Sequence, residues 1–238
     1  MGMFHGLKTF CLMCVLIALS ALPATARDLT VVELYTSQGC SSCPPADKFL
    51  GELAKRDDVL ALSFHVDYWD YIGWKDTFAS PANTERQRAY ARRFGIGYVY
   101  TPQMVVHGTA QMTGSNRPAV LNGIAQAQTM PAIQIKLRRD AGGVSASLPA
   151  KKGAEQASVY AVLFDREHST SIRRGENGGR QITYSNVVRK LERLTSWNGE
   201  AMTVALPVGE QANDACAVIV QSDMSGMILG AATLDLRN

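Results

Sequence analysis

Tyr35-Thr36-Ser37-Gln38-Gly39-Cys40-Ser41-Ser42-Cys43-Pro44-Pro45 joins an apolar run over residues 29–35 to an amphipathic segment over 46–54. The pattern predicts strand, loop and helix. A helix N-terminus offers unpaired N–H groups and the positive end of the dipole, which favour a thiolate on the first cysteine. Cys40 is then the attacking sulfur. Two intervening residues let Cys43 reach back and release a mixed disulfide from Cys40, so the pair can cycle between dithiol and a Cys40–Cys43 disulfide. Pro44 and Pro45 suit a first helical turn, where a missing N–H costs nothing and φ is already helical.

Upstream, Lys8 precedes an apolar core over 10–22, and Ala24-Thr25-Ala26 supplies small residues for cleavage. This predicts a secretory signal over residues 1–26, with no stable membrane span once it is removed. Of the five cysteines, Cys40, Cys43 and Cys216 remain after such cleavage. One close pair in an exported chain constrains the unfolded state little, so it points to chemistry more than to a staple. With 24 Lys and Arg against 21 Asp and Glu, the charge pattern carries no footprint for nucleic acid or a membrane surface. No P-loop, dinucleotide fingerprint or His-Glu-x-x-His occurs, and no cofactor is implied.

Along the chain, Ala46, Phe49, Leu50 and Leu53 recur at helical spacing. Residues 59–67 alternate as a second strand, with Leu60, Leu62, Phe64 and Val66 on one face and Val59, Ala61, Ser63, His65 and Asp67 on the other. Tyr68-Trp69-Asp70-Tyr71-Ile72-Gly73-Trp74 follows at the strand's carboxyl end, where open α/β sheets keep their sites. Its rings, Trp69 foremost, either line a substrate groove or simply cover the sheet edge. Ser80-Pro81 starts a helix that Gly95 stops, and its charges, Arg86 among them, read as a solvated face. Thr101-Pro102 opens a third strand, Gly108 turns it into a fourth, and Ser115-Asn116 with Pro118 starts a last helix. The order is β-α-β-α-β-β-α over residues 27–130.

From residue 131 to 238 the pattern becomes short β runs, at 133–137, 144–148, 158–164, 181–189, 201–206, 216–221 and 227–234. Seven strands with Gly-rich turns predict a separate all-β sandwich domain. The polar segment 174–180 reads as a hairpin turn with local pairing, and Cys216 as a buried, inert thiol.

The β-α-β-α-β-β-α order, with Cys-x-x-Cys after the first strand and Thr-Pro before the third, resembles the thioredoxin fold in its compact glutaredoxin-like form. That resemblance implies that Pro102 is cis and lies against the disulfide, and that the Thr101 backbone pairs with substrate. It also implies a buried acid in the first strand as proton relay for the second cysteine. Glu33 is the residue available, although it sits one position farther from Cys40 than the usual spacing. Two further departures are Gly39 where a tryptophan is usual, and Ser41-Ser42 as the inner dipeptide. Together, Cys-Ser-Ser-Cys-Pro-Pro-Ala-Asp, His-Val-Asp-Tyr-Trp-Asp, Tyr-Thr-Pro-Gln-Met and Arg-Gly-Glu-Asn are similar to an uncharacterised secreted bacterial family with a thioredoxin-like core.

These readings predict a periplasmic or secreted bacterial thiol-disulfide oxidoreductase acting on a protein or small-thiol substrate, with the sandwich choosing the partner. Two alternatives stand beside it. One is soft-metal handling, with Met104, Met112, His65 or His107 joining the sulfurs around an ion such as Cu(I). The other is a non-catalytic binding module with a permanent Cys40–Cys43 disulfide.

Overall fold

The computed structural model describes residues 28–209 and 213–237. The expected signal over 1–26 lies outside them. In the first half the elements are β1 (Thr30–Thr36), α1 (Pro44–Leu53), β2 (Val59–His65), α2 (Pro81–Arg93), β3 (Gln103–Val106), β4 (Ala110–Thr113) and α3 (Arg117–Ala127). The local signals act as expected: Ser80 Oγ accepts from Ala82 N at 3.2 Å ahead of Pro81, and Asn116 Oδ1 accepts from Ala119 N at 3.3 Å ahead of α3. Gly108, at φ +69°, turns β3 into β4 where a side chain would strike Gly226 O.

Among the described residues strands alone follow: β5 (Lys136–Asp140), β6 (Gly143–Leu148), β7 (Ala157–Ser171), β8 (Gln181–Trp197), β9 (Met202–Leu206), β10 (Ala215–Ser222) and β11 (Ile228–Asp235). Six of the seven expected runs are present and the first, 133–137, is displaced to Lys136–Asp140, but the strands do not form a body apart. One sheet of eight strands runs in the order β11-β10-β7-β8-β2-β1-β3-β4, and β5-β6-β9 forms a second, three-stranded sheet. The first-half sheet therefore continues into the second half through β2 and β8, which lie parallel with Ser63 opposite Val187. Asn186, at φ +49°, turns its amide to the Ala61 carbonyl at 2.7 Å and fixes that seam.

The cores explain why the sheet does not divide. On the α2 face, Leu60, Phe64 and Tyr90 share one cluster with Val162, Phe164 and Ile219. On the opposite face α1 and α3 cover β1 to β3 through Phe49, Leu50, Val120 and Ile124. Farther along that sheet, Val159, Val218 and Leu229 pack against Val144, Ala146 and Leu206 of the small sheet. Two sheets do stack in the second half, as expected, yet one of them belongs equally to the first. Every residue of β2 is buried, so an uncovered β2 edge would be costly.

The β7–β8 hairpin is the largest departure from the expected lengths. β7 continues past Phe164 as Asp165–Ser171, half-buried and exposed in turn, against 181–187, where Ile182, Tyr184, Asn186 and Val187 are buried, and β8 continues past Arg189 to Trp197. This arm carries its tip, residues 172–180, to the loop between β1 and α1.

Candidate functional site

Cys40 and Cys43 form a disulfide at the start of α1. Cys43 is the N-cap residue, and its N–H donates to Cys40 O at 3.2 Å. The expected surplus of N–H groups is not there. Pro44 and Pro45 have none, and Ala46 N and Asp47 N both donate to Cys43 O, at 2.9 and 3.1 Å. Helix-end support for a Cys40 thiolate is thus confined to the dipole.

The hairpin tip closes over this loop. Asn177 Nδ2 donates to Gln38 O and to Cys40 O, each at 2.9 Å, and Glu176 Oε2 accepts from Ser41 N at 3.2 Å. Asn177 is 1% exposed, and both disulfide cysteines are 0% exposed. Segment 174–180 has a local contact in Arg180 Nη1 to Asn177 Oδ1 at 3.1 Å, but Glu176, expected to pair with its neighbouring arginines, accepts from Ser41 N, and this docking on the cysteine loop is what the sequence left unread. Only a contact across 137 residues reveals it.

Trp69, Thr101 and Pro102 come to the same place. Trp69 Nε1 donates to Thr101 Oγ1 at 2.8 Å, and a Cβ on Gly39 would lie 3.3 Å from Trp69 Cβ. The Thr101–Pro102 bond is cis. Gly114 sits between Pro102 and the first turn of α1, where a Cβ would meet Ala46 Cβ at 3.0 Å and Pro102 Cβ at 3.2 Å. From the other side Trp74 Nε1 donates to Gln38 Oε1 at 2.8 Å.

Glu33 does not join them. Its carboxylate takes Arg86 Nε at 2.6 Å, Arg86 Nη2 at 2.8 Å, Tyr90 OH at 2.7 Å and Tyr35 OH at 2.9 Å. These partners lie on the α2 face, whereas α1 packs on Val32 and Leu34. The strand period of two is the reason: one residue of offset turns a side chain to the other face. Arg86 is correspondingly a buried partner and not part of a solvated face.

The acid on the α1 face is Asp47. Thr36 Oγ1 donates to its Oδ1 at 2.8 Å, and its Oδ2 has no hydrogen-bond partner among the described residues. Burial pushes the Asp47 carboxyl up to about 7, with Asp76 adding to the rise, against the attraction of His65 and the Thr36 hydrogen bond. His65 Nδ1 lies 2.7 Å from Asp76 Oδ2, both side chains fully buried. Burial raises the Asp76 carboxyl, but His65 and the N–H groups of Gln38 and Phe78 outweigh it and hold it below the ordinary carboxylate range. The His65 and Tyr184 rings are 4.7 Å apart, and His65 Nε2, Tyr184 OH and Ser63 Oγ are also buried without partners among the described residues. The available signal was spacing: Asp47 follows Cys43 by four and precedes Leu50 by three, on the buried face of α1.

Of the side chains weighed as soft-metal ligands, Met104 and Met112 stand opposite one another on β3 and β4 in the core under α1 and α3. His65 is held by Asp76, and His107 closes the β3–β4 turn, its Nδ1 accepting from Val31 N at 3.3 Å. Among the described residues no group of three or more His, Cys, Asp or Glu is placed to hold a metal ion. Cys216 is buried in β10, its thiol pushed up to about 11 by burial. Among the same residues no helix is long and apolar enough to cross a membrane.

Comparison with curated proteins returned no match. A crystal structure of a protein from Agrobacterium tumefaciens, a target of the Northeast Structural Genomics Consortium, is similar at 34% identity and a TM-score of 0.76. The alignment covers 86% of this chain and 93% of that one. Residues 31–221 match the family model described as "Protein of unknown function (DUF1223)". That span takes in the cysteine loop, the Thr101-Pro102 strand and the hairpin that closes on them, and the chain belongs to this family.

Proposed function

We propose that the protein is an exported thiol-disulfide oxidoreductase built on a thioredoxin-like core, with Cys40 as the exchanging and Cys43 as the resolving sulfur. The observation that carries this reading is a Cys40–Cys43 disulfide at the start of α1 whose loop meets Trp69 at Gly39, with Trp69 bonded to Thr101 and the cis Pro102 one glycine away from the first turn of α1. The first-half strand order β2-β1-β3-β4, with β1 and β2 parallel and β3 and β4 antiparallel, supports it. A substrate thiolate attacks Cys40 Sγ, the Cys40–Cys43 bond breaks and Cys43 leaves as a thiolate. A second substrate thiol, losing its proton, attacks the substrate sulfur of the mixed disulfide and expels Cys40. Two electrons pass from the substrate dithiol to the cysteine pair. The reverse sequence oxidises the pair and reduces the substrate.

A permanent disulfide in a binding module is the competing reading, and one observation favours it: the complete burial of both cysteines beneath the hairpin tip. The reduction potential of the pair separates the two. The mature protein is equilibrated in glutathione buffers and its thiols are trapped, with C40S as control. A potential among those of known exchange catalysts, about −120 to −270 mV, supports exchange. A pair that stays oxidised well below about −300 mV overturns it in favour of a structural bridge.

A further inference from the structure

We propose that Asp47 takes the proton of the Cys43 thiol and returns it, with the His65–Asp76 pair as positioning residues behind it. This assignment rests on the exchange reading of the Cys40–Cys43 disulfide.

Geometry places the acid. Asp47 N donates to Cys43 O at 3.1 Å, so the two residues stand one turn apart on a single helix face. Helical side chains lean toward the N-terminus, which directs the Asp47 carboxyl back toward Cys43. Thr36 occupies Oδ1 and leaves Oδ2 buried without a partner among the described residues. Such an acceptor is costly to leave empty, and the thiol formed when the disulfide opens is a donor on the same face.

The groups acting on Asp47 come from each element around it: Thr36 from β1, His65 from β2, Asp76 from the loop after β2, and Tyr184 from β8. His65 and Asp76 oppose one another in their effect on its charge, and burial leaves the carboxyl poised at about 7. A group so poised can accept or donate at neutral pH. Glu33, committed to Arg86 on the other sheet face, has no path to the sulfurs.

The step balances in both directions. When substrate thiolate attacks Cys40, the departing Cys43 thiolate takes the proton from neutral Asp47, leaving Cys43 thiol and Asp47 carboxylate. In reverse, Asp47 carboxylate takes the Cys43 proton. The resulting thiolate attacks Cys40 of the mixed disulfide and expels the substrate as its thiolate.

The test uses the reduced mature protein and an excess of 5,5′-dithiobis(2-nitrobenzoate). Cys40 attack releases one coloured thiolate, and Cys43 resolution releases the second, so the two steps are timed separately. Buried Cys216 stays silent in the folded chain. The second release should rise with pH through an inflection near 7, the value to which Asp47 is tuned. D47N should slow it roughly tenfold or more at pH 7. The inflection should vanish, while the first release changes less than about threefold, well short of a general-base effect. T36V, which keeps the carboxyl but removes its hydrogen bond, should move the inflection upward and serves as the deciding variant if D47N does not fold. Unchanged second-release profiles in D47N, or an unmoved inflection in T36V, overturn the assignment. If the wild-type pair cannot be reduced in the folded protein, or releases no coloured thiolate, the exchange reading itself falls and takes this inference with it.

Discussion

Asn177 and Cys40 are joined side chain to backbone at 2.9 Å, although 137 residues separate them. The same amide nitrogen holds Gln38 O, so one buried side chain fixes both ends of the turn that presents the first cysteine. Loss of that amide leaves two carbonyls unpaired when the tip is closed and free to meet water when it opens. At about 1 kcal/mol for each hydrogen bond, N177A should populate the open state roughly tenfold to thirtyfold more. Reduction of the disulfide by dithiothreitol should accelerate by that factor, as read by thiol trapping against time. An unchanged rate would show that the tip does not control access.

Glu33 and Arg86 are a buried pair with side chains 1% and 8% exposed. E33Q strands the guanidinium, and urea denaturation should show a loss of about 3–5 kcal/mol. The same variant should keep the wild-type pH profile of cysteine resolution, because the pair lies on the face away from α1. A shifted profile would return Glu33 to the exchange site.

Asp47 has a folded-state pKa near 7 against an ordinary value of 3.8. The folded state therefore holds a proton that the unfolded state gives up. Its stabilising contribution is complete below about pH 4 and is lost as pH rises through about 7. The loss should amount to a few kcal/mol, at most about 4. Denaturation midpoints of the oxidised protein across this window should fall with pH, and those of D47N should lack this share of the decline. Asp76, held low, acts in the other direction: its contribution is present above its ordinary value and is lost only in more acidic solution.

Asn186 combines a left-handed backbone with a hydrogen bond to Ala61 O across the β2–β8 seam. N186A removes the bond and places alanine where asparagine is better tolerated. The expected cost is about 2 kcal/mol, measured by thermal or urea unfolding. N186G, which restores backbone freedom but not the bond, should recover part of it.

Much of this architecture could be read from residues close in sequence. The Ser80-Pro81 and Asn116-x-Pro118 starts, the Gly108 turn and the alternation of residues 59–66 each reflect forces acting within a few positions, and each has its counterpart in the structure. The cysteine loop, Trp69 and Thr101-Pro102 are linked by the Trp69 Nε1–Thr101 Oγ1 bond and by the approach of Gly39 to Trp69. What escaped reading depends on distant packing. Residues 165–171 carry a polar alternation that burial does not enforce, so only pairing with 181–187 makes them strand. Arg86 looks like a surface group until Glu33, the partner that buries it, is known, and the joining of His65 to Asp76 depends on a loop eleven residues away. Glu33 failed by a single position, enough in a β-strand to reverse the direction of the side chain.

The β2–β8 seam bears on how such a chain can be divided. Severing it after Met130 would bare the β2 edge that meets β8 at Ser63 and Val187, on a strand buried at all seven positions and ready to pair with a neighbouring molecule. It would also remove Asn177 and Tyr184 from the surroundings of the cysteines. The first half would not be a portable cassette: its solubility and its chemistry both depend on chain that is synthesised after it.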